Sequence, residues 1–203
     1  MGLPYKTERV YVFKGFERFW HWTQAALVIF LMLSGFEIHG SVRVLGFERA
    51  VQLHTLAAWS LVGLWVFAVF WHATTGEWRH YIPTLDKLRQ MLRYYAWGIF
   101  QHEPHPFRPS PANKHNPLQR LTYLLVLVLV SPLIWISGWL YLFYGEWPAW
   151  GLNSLSLEWV AAAHTAGAFL MLAFVITHLY VATTGPTLLS QTRAMVTGRE
   201  ELH

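Results

Sequence analysis

The stretch "LEWVAAAHTAGAFLMLAFVITHLYVA", residues Leu157 to Ala182, carries a single formal charge, Glu158, at its very start. A helix of this length reaches across the ~30 Å hydrocarbon core of a bilayer. Three other runs have the same character: about Phe16 to Phe36, Ala50 to Trp71, and Leu118 to Tyr144. Backbone N–H and C=O groups in lipid must be paired within the segment, so each run reads as a helix. The expected fold is an all-α membrane protein, a four-transmembrane-helix bundle. It forms a single integral-membrane domain over 1–203, with helices at about 16–36, 50–71, 118–144 and 157–182. Pro132 is expected to kink the third helix.

Composition agrees. Hydrophobic residues make up 54% and charged residues 13% of the 203-residue chain, which suits a protein solvated mostly by lipid. Twelve Trp and nine Tyr fit the aromatic belts of membrane interfaces. The absence of Cys excludes disulfides, thiolate-held iron–sulfur clusters and thioether-attached haem within the chain. A metal must therefore be met by His, Asp, Glu or Met, and there are eleven His. The N-terminal run lacks the small-residue cleavage site of a secretory signal.

The net charge of +4 has a topological cause rather than a nucleic-acid partner. Thirteen of the 15 Lys and Arg lie before or at the start of the first run, between the second and third or at the start of the third, or after the fourth; only Arg43 and Arg49 lie on the other side. Positive residues stay cytoplasmic, which places both termini inside. Within the long connector, "YIPTLDKLRQMLRYYAWGIF" (81–100) reads as an amphipathic interfacial helix between helices two and three. The Pro-rich "EPHPFRPSPANKHNP" (103–117) after it reads as extended. "ATTG" closes both the second and the fourth run, at Ala73–Gly76 and Ala182–Gly185, and serves to match depths.

Depth then organises the histidines. His164 and His178 stand 14 residues apart, within about 40° of one helix face and roughly 21 Å apart along the axis. The first helix offers His21 near the inner face, and the second offers His54 near the outer face. A lone intramembrane His can be hydrogen-bonding glue between helices. Four at two matched depths suit bis-histidine haem, with His54/His164 as the outer pair and His21/His178 as the inner pair. Haem iron held on both faces transfers electrons and does little else. His72 shares a face with His54; it stands at the inner rim, with replacement of His21 or a third haem as the alternatives. Gly63 and Gly167 could admit a flat macrocycle or close helix packing. His39, His80, His102, His105 and His203 lie in loops or at the end and are expected to be solvated or interfacial. No thiol nucleophile and no buried carboxylate pair is expected, so the chain is expected to act as an electron-transfer and quinone-reactive subunit of an oxidoreductase complex, with no substrate chemistry of its own apart from quinone. The outer loop "GEWPAWGLNSLSLE" (145–158), with Trp147 and Trp150, reads as a partner surface or an aromatic belt.

These residues resemble a known group. "RFWHWTQAALVIFLMLSGFEIHG", "LHTLAAW", "TTGEWRHYIPT", "HNPLQRLTYL" and "AAAHTAG...ITHLYVATTG" are similar to the membrane di-haem cytochrome b subunits: the gamma subunit of formate dehydrogenase, thiosulfate reductase cytochrome b, and the b-type cytochrome of nickel–iron hydrogenase. The resemblance implies four transmembrane helices, two b haems with the same four ligands, and residence as a multi-pass protein of the bacterial cytoplasmic (inner) membrane. It implies a quinone site (menaquinone or ubiquinone) near the inner haem, with Asn116 and Gln119 at the start of helix three helping to line it. It implies an extracytoplasmic redox partner, an iron–sulfur protein or a multihaem cytochrome. Read from physics alone, Asn116 is a helix cap. The rival functions are a free-standing b561-like carrier and a non-haem His-bearing transporter or anchor.

Overall fold

The computed structural model describes residues 8–101, 103–107, 110 and 113–202. Four long apolar segments follow one another: α1 (Gly15–Ile38), α2 (Phe47–Thr75), a third that joins α4 (Pro117–Leu125) to α5 (Ser131–Leu142) through a π segment (Val126–Val130), and α6 (Leu157–Ala182). All four are long and apolar enough to cross a membrane. Between α2 and α4 lie a 3₁₀ turn (Glu77–Tyr81), α3 (Leu88–Ala96) and a second 3₁₀ turn (Gly98–Gln101). Strand β1 (Glu8–Tyr11), helix α7 (Ser190–Thr197) and strand β2 (Arg199–Leu202) complete the chain. Large apolar side chains such as Phe67, Phe70 and Leu33 point outward, as lipid solvation allows.

The residues divide into two compact units. The first holds β1, α1, α2, the turn through His80, Pro109–Lys114, and the chain from Ala182 onward. Its helices α1 and α2 run antiparallel, with Phe16 stacked on Trp71 at 4.9 Å between centroids. Ala50, Ala57 and Ala68 are buried on α2, where small side chains let helices approach closely. The α1–α2 loop is organised by Glu37, whose Oε1 accepts from the backbone N–H groups of Val44, Leu45 and Gly46. Gly46, at φ 87, then starts α2. Gly76, at φ 76, ends it by returning its N–H to the His72 carbonyl, the left-handed helix stop glycine favours. Strand β1 pairs antiparallel with β2, Tyr11 opposite Arg199. Arg18 and Trp22 of α1 donate to the Val196 and Met195 carbonyls of α7. The two ends of the described chain are thus tied to the start of α1.

The second unit holds Tyr81–Arg108 and His115–Val181. Its third span carries the irregularity expected around Pro132, as a π segment immediately upstream. Ser131 donates to Val126, five residues back, because a proline ring has no N–H and crowds the carbonyl four residues before it. Gly167 of α6 lies against α5, where a Cβ would meet Ile134 Cγ1 at 2.6 Å. Of the two expected uses of Gly167, the structure shows close helix packing.

Two details differ from the sequence reading. The amphipathic segment forms a helix over Leu88–Ala96 only, with Met91 and Tyr94 buried and Arg89, Leu92 and Arg93 exposed. The two "ATTG" copies are not equivalent. The first lies inside α2 and its left-handed stop, whereas α6 ends at Ala182, the residue whose carbonyl Pro186 cannot pair with.

Candidate functional site

In the first unit, Ser34 of α1 faces His54 of α2, with Oγ and Nδ1 2.9 Å apart. Ser34 is buried, and its hydroxyl donates back to the Phe30 carbonyl at 2.8 Å. Such back-bonding is a common fate for a serine inside a helix. A hydroxyl has one proton. That proton can go to the carbonyl or to Nδ1; in the first arrangement the oxygen accepts from Nδ1–H, which leaves the imidazole lone pair on Nε2. Gly35, the next residue, gives the ring its space; a Cβ there would lie 3.7 Å from His54 Cε1.

The second unit repeats the device. Ser137 of α5 is buried, donates back to the Leu133 carbonyl, and stands 3.0 Å from His164 Nδ1 on α6. The same nitrogen lies 3.1 Å from the Ile134 carbonyl, an acceptor only, which fixes the same tautomer independently. Gly138 follows Ser137, and here the fit is tighter, since a Cβ would lie 3.2 Å from His164 Cε1. Each unit therefore seats one histidine against a Ser-Gly pair of the preceding span, and in the second the Ile134 carbonyl leaves Nε2 as the basic nitrogen. Metal-bound histidines are characteristically oriented in this way, so these residues fit axial haem ligation. Gly63, on the His54 helix, faces open space, with nothing within 4 Å of a Cβ placed there.

The other histidines have aromatic surroundings. His21 meets Trp22 edge-on at 5.1 Å. His72, at the same end of the first unit, lies edge-on to Trp20 and Trp71 and donates from Nδ1 to the Ala68 carbonyl at 2.7 Å. In the second unit, His178 stacks on Phe174 at 5.8 Å. The expected pairs, His54/His164 and His21/His178, each take one residue from each unit.

Asn116 and Gln119 come together as a reciprocal capping box at the start of α4. Asn116 Oδ1 accepts from the Gln119 N–H at 2.8 Å, and Gln119 Oε1 accepts from the Asn116 N–H at 2.9 Å. The cap uses the oxygen of each amide and leaves both NH2 groups as donors. Sequence reasoning overlooked His115 beside them. It is buried between Tyr81 (4.9 Å) and Tyr123 (5.3 Å).

The expectation of no buried carboxylate pair fails. Glu17 of α1 and Glu77, just after α2, are both buried, and the equally buried Lys114 bridges them at 2.8 Å and 2.7 Å. Lys14 adds a second cation to Glu77, and His80 Nε2 lies 3.3 Å from it. Burial alone would push the Glu77 carboxyl up, but the hydrogen bonds from Lys114 and Lys14 outweigh it and hold it at about 2. The Glu77 hydrogen bond in turn raises Lys14. No motif announced this cluster, because its members are far apart in sequence and Lys114 reads as one more basic connector residue.

Other expectations shift as well. His80 joins that cluster, and His105 is held by Tyr95 and the Phe107 carbonyl; neither is simply solvated. His39 is exposed at the end of α1, as expected. His102 and His203 lie outside the described residues. Trp147 is buried and donates to the Leu140 carbonyl, whereas Trp150 is exposed.

Comparison with known proteins agrees with this chemistry. The family model described as prokaryotic cytochrome b561 matches residues 12–198. A chain named cytochrome YdhU from Escherichia coli (strain K12) is 32% identical over 200 residues, covering 94% of this chain and 74% of its own. Chains named as B-type cytochrome subunits of Ni/Fe-hydrogenase are 25% identical. That from Cupriavidus necator aligns over 85% of this chain and 78% of its own, and that from Rhizobium leguminosarum bv. viciae over 86% and 81%. No solved structure matches.

Proposed function

The chain belongs to the prokaryotic cytochrome b561 family of b-haem membrane electron carriers, and from that premise we propose that it links a redox partner outside the cytoplasm to the membrane quinone pool through two haems. The observation that carries this reading is the pair of matched seats, Ser34–His54 and Ser137–His164. Each places the Nδ1 side of an imidazole against a buried serine, one in each unit. His54 and His164 would hold one haem, and His21 and His178 a second. Bound b-type haem supplies a one-electron iron couple, which moves electrons without bond chemistry. Two histidines for each haem would leave its iron no open position for oxygen or substrate.

Asn116 and Gln119 serve as donors to a quinone carbonyl through the NH2 groups their capping box leaves over, with Tyr81, His115 and Tyr123 as aromatic neighbours. His72 stands at the rim of the same end as His21. Thirteen of the 15 basic residues favour a cytoplasmic location for both termini, in the bacterial inner membrane. The relatives named as hydrogenase subunits favour a complex with a catalytic redox subunit over a free-standing carrier.

The test is haem stoichiometry. Pyridine haemochrome assay of the purified chain should give two b haems, one of which is lost in either His54→Ala or His164→Ala. One haem per chain, or full haem content in both variants, overturns the assignment. Purification of the native protein with a catalytic redox subunit is expected; its isolation as a lone active unit overturns the complex.

A further inference from the structure

The two serines have a consequence beyond seating a ring. Resting on the reading that His54 and His164 are haem ligands, we infer that Ser34 and Ser137 are positioning residues that lower the reduction potential of the haem these histidines hold. In this arrangement each hydroxyl gives its own proton to the helix carbonyl within its reach (Phe30 for Ser34, Leu133 for Ser137) and presents to the ring an oxygen that accepts. A hydroxyl oxygen polarised in this way is a stronger acceptor, because hydrogen bonds in a chain reinforce one another. It draws the Nδ1 proton of the imidazole toward itself, which leaves more electron density on Nε2. A more basic axial nitrogen favours ferric over ferrous iron.

The geometry is doubled. Ser34 to His54 is 2.9 Å and Ser137 to His164 is 3.0 Å, and both serines are buried, so water does not dilute either bond. Both are followed by a glycine that lets the ring approach. If His54 and His164 hold the same haem, as proposed above, the two effects would add.

The experiment is a spectroelectrochemical titration of the full-length, haem-loaded protein, comparing wild type, Ser34→Ala, Ser137→Ala and the double variant. Haem content should stay at the wild-type level. At a fixed ambient potential, the reduced-to-oxidised ratio of one haem should rise about threefold in each single variant, a shift of about 30 mV at 59 mV per tenfold, and about tenfold in the double variant. The low-spin ferric EPR signal of that haem should change with it. Ser34→Thr and Ser137→Thr, which keep the hydroxyl, should restore the native midpoint. An unchanged midpoint and EPR signal in the double variant overturn the inference, as does a shift confined to the haem that His178→Ala removes. If the alanine variants lose haem, the threonine variants decide: native haem content with a native midpoint supports the role, and a shifted midpoint removes it. A wild-type protein without haem would instead overturn the functional reading beneath it.

Discussion

His54 and His164 differ from His21 and His178 in what surrounds them. The first two rest on buried serines through Nδ1, beside glycines that clear the ring. The second two are described by aromatic neighbours, Trp22 and Phe174. The polar seat fixes a tautomer and an angle of approach; the aromatic wall fixes a shape. At the His21 end of the first unit, a buried ionic cluster, the Lys114 bridge between Glu17 and Glu77, adds charged groups of a kind that the two serine seats do not use.

The sharpest way to break this comparison is at the ligands themselves. His178→Ala should remove the haem that His164→Ala leaves, so the two variants should show complementary reduced-minus-oxidised spectra; identical residual spectra would merge the two levels into one. Next in size is the ionic cluster. Lys114→Met leaves two buried carboxylates without their bridging cation, an imbalance that typically costs about 3–5 kcal/mol. It should lower thermal stability sharply, with partial recovery on adding Glu17→Gln.

The same cluster predicts a pH dependence. Glu77 sits below the ordinary carboxylate range, so its contribution is complete above about pH 4.5 and is lost as pH falls through about 2. Stability measured from pH 6 downward should decline across that window, and Glu77→Gln should flatten the decline. A smaller effect separates capping from quinone contact. Asn116→Asp keeps the oxygen that caps α4 but loses the NH2 group, so quinone turnover should fall several-fold while thermal stability stays within about 1 kcal/mol. The smallest effect compares the two seats directly. Gly138→Ala places a methyl 3.2 Å from His164 and should perturb the haem spectrum, whereas Gly35→Ala at 3.7 Å is ordinary contact and should not.

Most of the fold was legible because lipid imposes a simple rule on long segments. The fourth span falls on the expected residues, 157–182, and the others shift by one to four residues at their ends. α2 is the longest excursion, and the cause is local: Gly46 and Gly76 set its limits, beyond the strongly apolar run. The site was legible in part. Histidine spacing marks four residues at two depths, but nothing in the composition of Ser34 or Ser137 distinguishes them from other small polar residues. The available signal was a repeated dipeptide, "SG" in "MLSGFE" and in "WISGWL", each in the span before a histidine-bearing one. The Glu17–Lys114–Glu77 bridge could not be read, because it joins three distant segments and its lysine had a sufficient explanation in topology.

Strand pairing at the chain ends sets an order of assembly. Tyr11 is held by Arg199, so β1 waits for a segment translated almost the whole chain later, roughly 10–40 s at ordinary ribosomal speeds. The pairing therefore forms only after all four spans between the two strands have been made.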